Sequence, residues 1–270
     1  MAAVADDLSA AGKKRGELLV VGTGYRAIGD LTLQAESYIR AADTVFYILG
    51  DPLSIEHILR INSNAESLLG YYGGGKSLQV SYKEMAERIL EEVRKNILVC
   101  AVFYGHPGVF VAPSHIAIQQ ARKEGFRARM LPAVSAEDWI FADLGVDPGL
   151  VGCQSFEAAD FLLRSRVYDP TSLLVLWKVG VIGMTDWSPN FNARIGARVL
   201  VDVLIRNYSS DHEVIVYEAS PYMVCEPRIE RVALADLPET KLTTYSTLVV
   251  PPATPRPMDR DMEKRISSRT

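Results

Sequence analysis

The chain has 270 residues, of which 48% are apolar and 23% are charged, and its net charge is −4. These values match ordinary globular proteins, and the length suits one large or two modest domains. Nucleic-acid-binding surfaces are usually basic, so this charge argues against nucleic acid as a partner.

The residues that usually form metal sites or disulfides are few and scattered. The three cysteines and four histidines show no spacing typical of a metal site or a disulfide framework. We therefore expect no metal, reduced cysteines and a cytoplasmic protein. No stretch is long and apolar enough to span a membrane, so we expect no membrane association. The Ala-rich residues 1–16 lack the pattern of a secretory signal, and we interpret them as a flexible leader.

Strand and helix patterns alternate through residues 17–148. This alternation predicts an N-terminal α/β domain with a parallel sheet and flanking helices. In chain order, we predict a strand at 17–21, a helix at 32–42, a strand at 44–48, a helix at 55–60, a strand at 65–69, a loop at 70–80, a helix at 82–95, a strand at 97–103, a helix ending near 124, a strand at 127–131 and a helix with Ser135 as its N-cap.

Pro and Gly cluster at 145–149, which indicates a domain boundary. In residues 149–252 we predict a C-terminal α+β domain with a mixed or antiparallel sheet. Its predicted strands fall within 172–179, 213–218, 228–233 and 244–250, and its predicted helices at 158–165 and 194–207. Residues 253–270 are rich in Pro and then in charge, which is typical of a solvated tail.

The strand at 97–103 is followed by the turn Tyr104-Gly-His-Pro-Gly-Val-Phe110. Gly105 and Gly108 allow the backbone to bend and a ligand to approach closely, and we expect a side chain at Gly105 to crowd the turn. Ligands of open parallel sheets bind outside the carboxyl ends of the strands. An ordinary strand-to-helix turn would carry the same residues, so both interpretations stay open.

Three strand ends occur in order: Gly22-Thr-Gly24, the turn at 104–110, and Pro132-Ala-Val-Ser-Ala136. Further matching stretches lie at 135–138, 142–149, 154–158, 211–219, 227–231 and 246–252. This ordered set resembles the tetrapyrrole methylase superfamily and, within it, the borosin peptide backbone N-methyltransferases.

The resemblance covers most of residues 17–252 and implies a two-lobed fold and a homodimer. It also implies S-adenosylmethionine as cofactor and S-adenosylhomocysteine as product. Fused members of this branch carry their substrate peptide at the C-terminus. Because the tail up to Thr270 lacks an apolar stretch like a core peptide, we expect a split member that acts on a separate precursor peptide.

A cofactor with an adenine ring and a carboxylate needs apolar walls and a few polar anchors. The resemblance places Tyr104, His106 and Ser135 beside it, with Gly22, Gly24 and Gly105 in the turns. Val109, Phe110, Ala133 and Ala136 suit the walls, and Gln154 suits an anchor. His106 could equally be a satisfied turn histidine, and Gln154 could cap a strand.

Methylation of an amide nitrogen requires removal of its proton, because the nitrogen lone pair is delocalised into the carbonyl. The resemblance indicates a loop tyrosine, an arginine, and a helix tyrosine one turn after that arginine. Tyr72 and Tyr82 match the two tyrosines, with Tyr71 as an alternative to Tyr72. A cation beside them would lower a phenol pKa from about 10. Tyr82 could otherwise simply pack its ring inward.

Leu78 stands where the family pattern has arginine, and leucine cannot stabilise a phenolate. Lys76, in the same loop, could replace the arginine as a point charge but not as a planar bidentate group. We prefer a peptide backbone N-methyltransferase that binds an acidic-to-neutral precursor through the second domain. The alternatives are a methyltransferase for a tetrapyrrole or another small molecule, and an inactive homologue that binds cofactor and partner.

Overall fold

A computed structural model describes residues 16–73, 75–184, 191–254 and 257–267. The chain divides into two compact units. One comprises the residues up to Trp139 together with Ala219–Glu226, and the other comprises Ile140–Glu218 and the residues from Pro227 onwards. Apart from Gly16, the predicted leader lies outside these ranges. Within them, no helix combines the length and apolar character needed to cross a bilayer.

The first unit contains a five-stranded sheet with the strand order β3-β2-β4-β1-β5, in which every pairing is parallel. Its strands are β1 (Glu17–Gly22), β2 (Thr44–Ile48), β3 (Ala65–Ser67), β4 (Leu98–Phe103) and β5 (Arg127–Met130). Its helices are α1 (Leu33–Ala41), α2 (Pro52–Ile61), α3 (Leu78–Val93) and α4 (Ala112–Lys123), and α5 (Ala136–Leu144) begins there.

Strand β1 shows how the sheet is covered on both faces. Leu18 and Val20 pack into one core cluster, while Leu19 and Val21 pack into another. A strand buried on both faces is a continuous apolar run, and this is the pattern from which the parallel sheet was predicted. The predicted parallel sheet with flanking helices is confirmed.

Helix α3 begins earlier than predicted. Ser77 is its N-cap, and its side-chain oxygen accepts a hydrogen bond from the Val80 backbone N–H. Because this cap satisfies an otherwise unpaired donor, the helix starts at Leu78 rather than at Tyr82. The predicted loop at 70–80 is therefore wrong at both ends, since a short 3₁₀ helix also occupies Leu69–Tyr71.

The second unit contains a five-stranded mixed sheet with the order β6-β7-β10-β8-β9. Only the pairing of β6 with β7 is parallel among its described strands. Its strands are β6 (Cys153–Glu157), β7 (Leu173–Trp177), β8 (Glu213–Glu218), β9 (Arg228–Ala233) and β10 (Thr247–Val250). Its helices are α6 (Pro148–Val151), α7 (Ala158–Leu163), α8 (Ala193–Leu204) and α9 (Arg260–Ser267). The mixed sheet is confirmed, while β6, α6 and α9 were not predicted.

Candidate active site

The carboxyl ends of β1 and β4 are joined by backbone hydrogen bonds. The Thr23 N–H donates to the Phe103 carbonyl over 2.9 Å, and the Gly105 N–H donates to the Gly24 carbonyl over 2.8 Å. Gly24 and Gly105 thereby form an isolated antiparallel bridge. The two predicted cofactor turns are thus held together at the carboxyl end of the parallel sheet.

Gly22 is the glycine on which this close approach depends. A Cβ atom at Gly22 would lie 2.1 Å from the Gly105 carbonyl oxygen and 2.7 Å from the Ala133 Cβ. A Cβ at Gly105 would meet no atom of the described residues within 4 Å. The expected crowding at Gly105 is therefore wrong, and the reason for glycine there is its positive φ of 64°.

The turn after β4 satisfies much of its own polar surface. The His106 Nδ1 accepts a hydrogen bond from the Gly108 N–H over 3.0 Å, as expected for a satisfied turn histidine. Tyr104, Val109 and Phe110 are 56%, 43% and 45% exposed, respectively. These aromatic and aliphatic surfaces are available as walls for a ligand.

Ser135 is the N-cap of α5, as predicted. Its hydroxyl accepts from the Glu137 and Asp138 N–H groups and donates to the Asp138 carboxylate over 2.8 Å. The Ser135 N–H donates to the same carboxylate over 2.6 Å. This reciprocal arrangement is a capping box, so the hydroxyl is engaged in the helix start that also positions Ala136.

Gln154 lies in β6 of the second unit and binds the backbone of Asp169. Its Nε2 donates to the Asp169 carbonyl over 2.8 Å, and its Oε1 accepts from the Asp169 N–H over 2.9 Å. Both ends of the amide are therefore occupied by one residue of the loop before β7. This geometry favours the structural interpretation of Gln154 over a role as a cofactor anchor.

Tyr72 and Tyr82 meet edge to face, with ring centroids 6.2 Å apart and ring planes at 86°. The rings pack against the core cluster that contains Met85 and Ile89. The 3₁₀ helix at Leu69–Tyr71 delivers Tyr72 from one side, and the first turns of α3 deliver Tyr82 from the other. Two predicted catalytic residues, ten positions apart in the chain, are thus brought into contact.

The surroundings of both phenols favour their neutral forms. Burial raises the pKa of Tyr72, and the neighbouring phenols of Tyr82 and Tyr104 raise it further. Burial also raises the pKa of Tyr82, but the hydrogen bond with Tyr72 opposes this increase. Tyr82 is therefore the easier of the two to ionise, with Tyr72 as hydrogen-bond donor to its phenolate. The electrostatic coupling also links Tyr104, at the end of β4, to this pair.

Lys76 is paired with a carboxylate. Its Nζ lies 2.5 Å from the Glu84 Oε2, and both side chains are partly exposed. Leu78 occupies the first position of α3, so it lies one turn before Tyr82 on the same face of the helix. Tyr71 packs its ring against the same core cluster as Tyr72. Gly74, in the predicted glycine run, lies outside the described residues.

A polar cluster beside β1 was not predicted. One oxygen of Asp30 accepts from the Tyr25 N–H, the Arg26 N–H and the Trp139 indole N–H, the last over 2.8 Å. The Arg26 guanidinium lies 3.7 Å from the centroid of the Trp139 ring. An Asp six residues after Gly24 was the available signal, because Asp side chains often accept hydrogen bonds from backbone N–H groups of turns.

Comparisons with known proteins come from sequence and from structure. The family model described as Tetrapyrrole (Corrin/Porphyrin) Methylases matches residues 17–220. The chain is 44% identical over 255 residues to a methyltransferase/ribosomally synthesized cyclic peptide dendrothelin A precursor from Dendrothele bispora. That match covers 92% of this chain and 61% of the relative.

A second relative is a methyltransferase/ribosomally synthesized type III borosin cyclic peptide precursor from Anomoporia bombycina, 41% identical over 259 residues. The match covers 94% of this chain and 30% of that protein. The chain thus spans less than two thirds of the length of these relatives. The resemblance to borosin methyltransferases that was inferred from the motifs is confirmed.

Among solved structures, the uroporphyrin-III-C-methyltransferase of Thermus thermophilus is similar, with a TM-score of 0.63 and 17% identity. The similarity covers 88% of this chain and 93% of that one. At this identity the likeness concerns the fold, and it agrees with the two sheets described above.

Proposed function

Since the chain belongs to the tetrapyrrole (corrin/porphyrin) methylases, we propose that it transfers methyl groups from S-adenosylmethionine to backbone amide nitrogens of a precursor peptide supplied as a separate chain. The relatives' names, which join a methyltransferase to a cyclic peptide precursor, support a peptide acceptor. The observation that carries the proposal is the contact between Tyr72 and Tyr82, coupled to Tyr104 at the predicted cofactor turn.

The residues at the ends of β1 and β4 suit the cofactor. Gly22, Gly24 and Gly105 in the linked turns are buried, whereas Tyr104, Val109 and Phe110 beside them offer exposed apolar area. Gly22, Gly24, Gly105, His106, Ser135 and Ala136 remain proposed members of this site. When bound, S-adenosylmethionine supplies an electrophilic methyl group and leaves as S-adenosylhomocysteine.

In the proposed reaction the tyrosines manage the proton of the amide. The Tyr82 phenolate accepts the N–H proton, while Tyr72 donates a hydrogen bond to Tyr82 and so favours its ionised state. With its proton removed, the amide nitrogen would be able to attack the methyl group that the bound cofactor would supply, with S-adenosylhomocysteine as the leaving group. Because burial raises the pKa of both phenols, ionisation of Tyr82 needs a cation nearby, and we assign that role to Lys76.

One observation favours a second candidate, an inactive homologue that binds cofactor and peptide. Leu78 brings no charge to the position one turn before Tyr82, and Lys76 is already paired with Glu84. We also propose that the protein is a cytoplasmic homodimer, in keeping with the family resemblance.

Intact-mass spectrometry tests the proposal. The purified chain is incubated with S-adenosylmethionine and the precursor peptide encoded beside its gene, and the product is fragmented. Increments of one methyl group on backbone nitrogens are the expected result. Calorimetric binding of the cofactor without any increment would instead support the inactive homologue.

A further inference from the structure

Phe110, at the end of the turn after β4, has an unusual backbone conformation. Its φ of 57° lies in the left-handed region, which bulky side chains rarely adopt. Such a residue keeps its conformation only where the surrounding structure holds it, and residues of this kind cluster at ligand sites. Phe110 is 45% exposed, so the held conformation presents apolar surface at the proposed cofactor turn.

The turn is bound to itself just before Phe110. The Gly108 N–H donates to the Nδ1 atom of His106, and the Val109 N–H donates to the His106 carbonyl over 3.1 Å. A Cβ atom at Gly108 would lie 2.8 Å from the Met130 sulfur and 3.2 Å from the His106 Cε1. Gly108 is therefore closely packed between these two side chains.

The first turn of α4 also binds this segment. Ser114 is fully buried, and its hydroxyl oxygen lies 2.5 Å from the Pro107 carbonyl oxygen and 2.8 Å from the Val111 carbonyl oxygen. The two acceptors stand immediately before and after residues 108–110 in the chain. One side chain of α4 thus fixes the backbone at both ends of the segment that contains Phe110.

His115, the next residue of α4, binds the centre of the segment. Its Nε2 atom lies 2.9 Å from the Gly108 carbonyl oxygen. A carbonyl oxygen only accepts hydrogen bonds, so the His115 Nε2 carries a proton and donates it. Gly108 is therefore held by two imidazoles, with its N–H bound to His106 and its carbonyl bound to His115. We call His106, Gly108 and His115 the histidine clamp.

The bond from His115 acts on the turn rather than on the helix. His115 is exposed, whereas α4 is anchored in the core by other residues, including the buried Ala117, Ile118 and Ala121. Replacing the imidazole therefore removes the bond to Gly108 and leaves the packing of α4 in place. The effect of such a change falls on the conformation of the turn.

We propose that His115 is a positioning residue for the cofactor. By holding the Gly108 carbonyl, it keeps the turn, and with it the left-handed Phe110, in the form that binds S-adenosylmethionine. Without this bond, part of the population would relax its turn, and the apparent affinity falls with the fraction that can bind. Binding of the cofactor restores the turn, so the saturated enzyme is unaffected. The inference rests on the proposed function, which places the cofactor at this turn.

The test compares His115→Ala with His115→Gln in the full chain, by calorimetric titration of S-adenosylmethionine and by initial rates of methylation at varied cofactor concentration. His115→Ala should weaken binding and raise the KM for S-adenosylmethionine about fivefold, the effect of one lost hydrogen bond, with kcat unchanged. Glutamine keeps an N–H donor at the end of its side chain, so His115→Gln should stay within about twofold of the parent.

His57→Ala is the matched control, because it makes the same substitution on α2 of the same unit. It should change neither the affinity nor the KM. A lower Tm for His115→Ala with unchanged cofactor affinity would overturn the inference, since the bond would then be merely structural. A fall in kcat with an unchanged KM would also overturn it, as would equal losses in His115→Ala and His115→Gln.

Failure of this inference can be told apart from failure of the proposed function. If cofactor affinity depends on His115 as described but no methyl group reaches the precursor peptide, the proposed function fails and the inference stands. If methylation proceeds with a KM for S-adenosylmethionine that His115→Ala leaves unchanged, the inference fails and the proposed function stands.

Discussion

The Nζ atom of Lys76 lies 2.5 Å from the Oε2 atom of Glu84, which joins the loop before α3 to the helix two residues beyond Tyr82. The two side chains are 38% and 40% exposed, so the pair contributes about 0–1 kcal/mol to stability and is readily broken. While this ion pair is formed, the Glu84 carboxylate neutralises the positive charge of Lys76 that the proposed reaction needs.

Lys76→Met should therefore lower kcat about tenfold, because it removes the cation that we propose stabilises the Tyr82 phenolate. Glu84→Gln releases the Lys76 amine from its carboxylate and should keep or raise kcat. The free energy of unfolding of both variants, measured in urea, should lie within about 1 kcal/mol of that of the parent protein. Initial rates of methyl incorporation provide the measurement. Equal rates for Lys76→Met and the parent would remove Lys76 from the reaction.

Leu78→Arg should raise kcat, about tenfold, because position 78 lies one helical turn before Tyr82 on the same face of α3. A guanidinium there would favour the ionised phenol. Val80→Arg is the matched control, since it adds the same charge at an exposed position two residues before Tyr82, on a different face of the helix. If both variants gained equally, a general effect of net charge would explain the result.

Tyr82→Phe should lower kcat at least about 100-fold, because it removes the proposed base and keeps the ring packed. The calorimetric affinity for S-adenosylmethionine should stay within about twofold. Tyr72→Phe should lower kcat less, since it removes only the hydrogen bond to Tyr82. Tyr71→Phe is the control and should retain full activity; inactivity of this variant alone would transfer the role of Tyr72 to Tyr71.

Stability should fall in alkali. The folded protein raises the pKa of Tyr72, so above about pH 10 the unfolded chain loses this proton while the folded chain keeps it. The contribution is fully present below about pH 10 and is lost as the pH rises further. Urea unfolding from about pH 8 to 11 should show a weaker decline for Tyr72→Phe than for the parent. An identical decline would show that Tyr72 has the same pKa in the folded and the unfolded protein.

Gly22→Ala should destabilise the protein more than Gly105→Ala. At Gly22 the added Cβ would lie 2.1 Å from a backbone oxygen, and such overpacking costs about 3 kcal/mol. At Gly105 the cost is the left-handed backbone alone, about 1–2 kcal/mol. Thermal unfolding of the two variants, monitored by circular dichroism, gives the comparison. A lower Tm for Gly105→Ala would contradict the packing at Gly22.

Much of the fold is readable from apolar runs, and the failures have local causes. Strands β2, β8 and β9 lie where they were predicted. The first two have continuous β-branched, aromatic and aliphatic residues at their centres, whereas β9 combines Ile229 and Val232 with charged residues. Strand β6 was missed since Cys153–Glu157 has polar residues at three of its positions. The start of α3 was missed because Ser77 follows closely on the glycine run and was therefore assigned to the loop rather than recognised as an N-cap.

The site was less accessible to sequence reasoning than the fold. The motifs identify Tyr72 and Tyr82, but their contact depends on the 3₁₀ helix and the early start of α3. We expected a cation to lower a phenol pKa, whereas burial raises the pKa of both tyrosines. Burial depends on tertiary packing, so a residue pattern alone does not reveal whether the pKa of a tyrosine is raised or lowered.

The bridge between Gly24 and Gly105 also affects how this protein can be altered by design or by evolution. Because the two turns share a hydrogen bond, and because Gly22 leaves no room between them, neither loop can change its length independently. A loop exchanged with a relative should function only when both turns are transferred together. The two turns thus form one structural unit, although about eighty residues separate them in the chain.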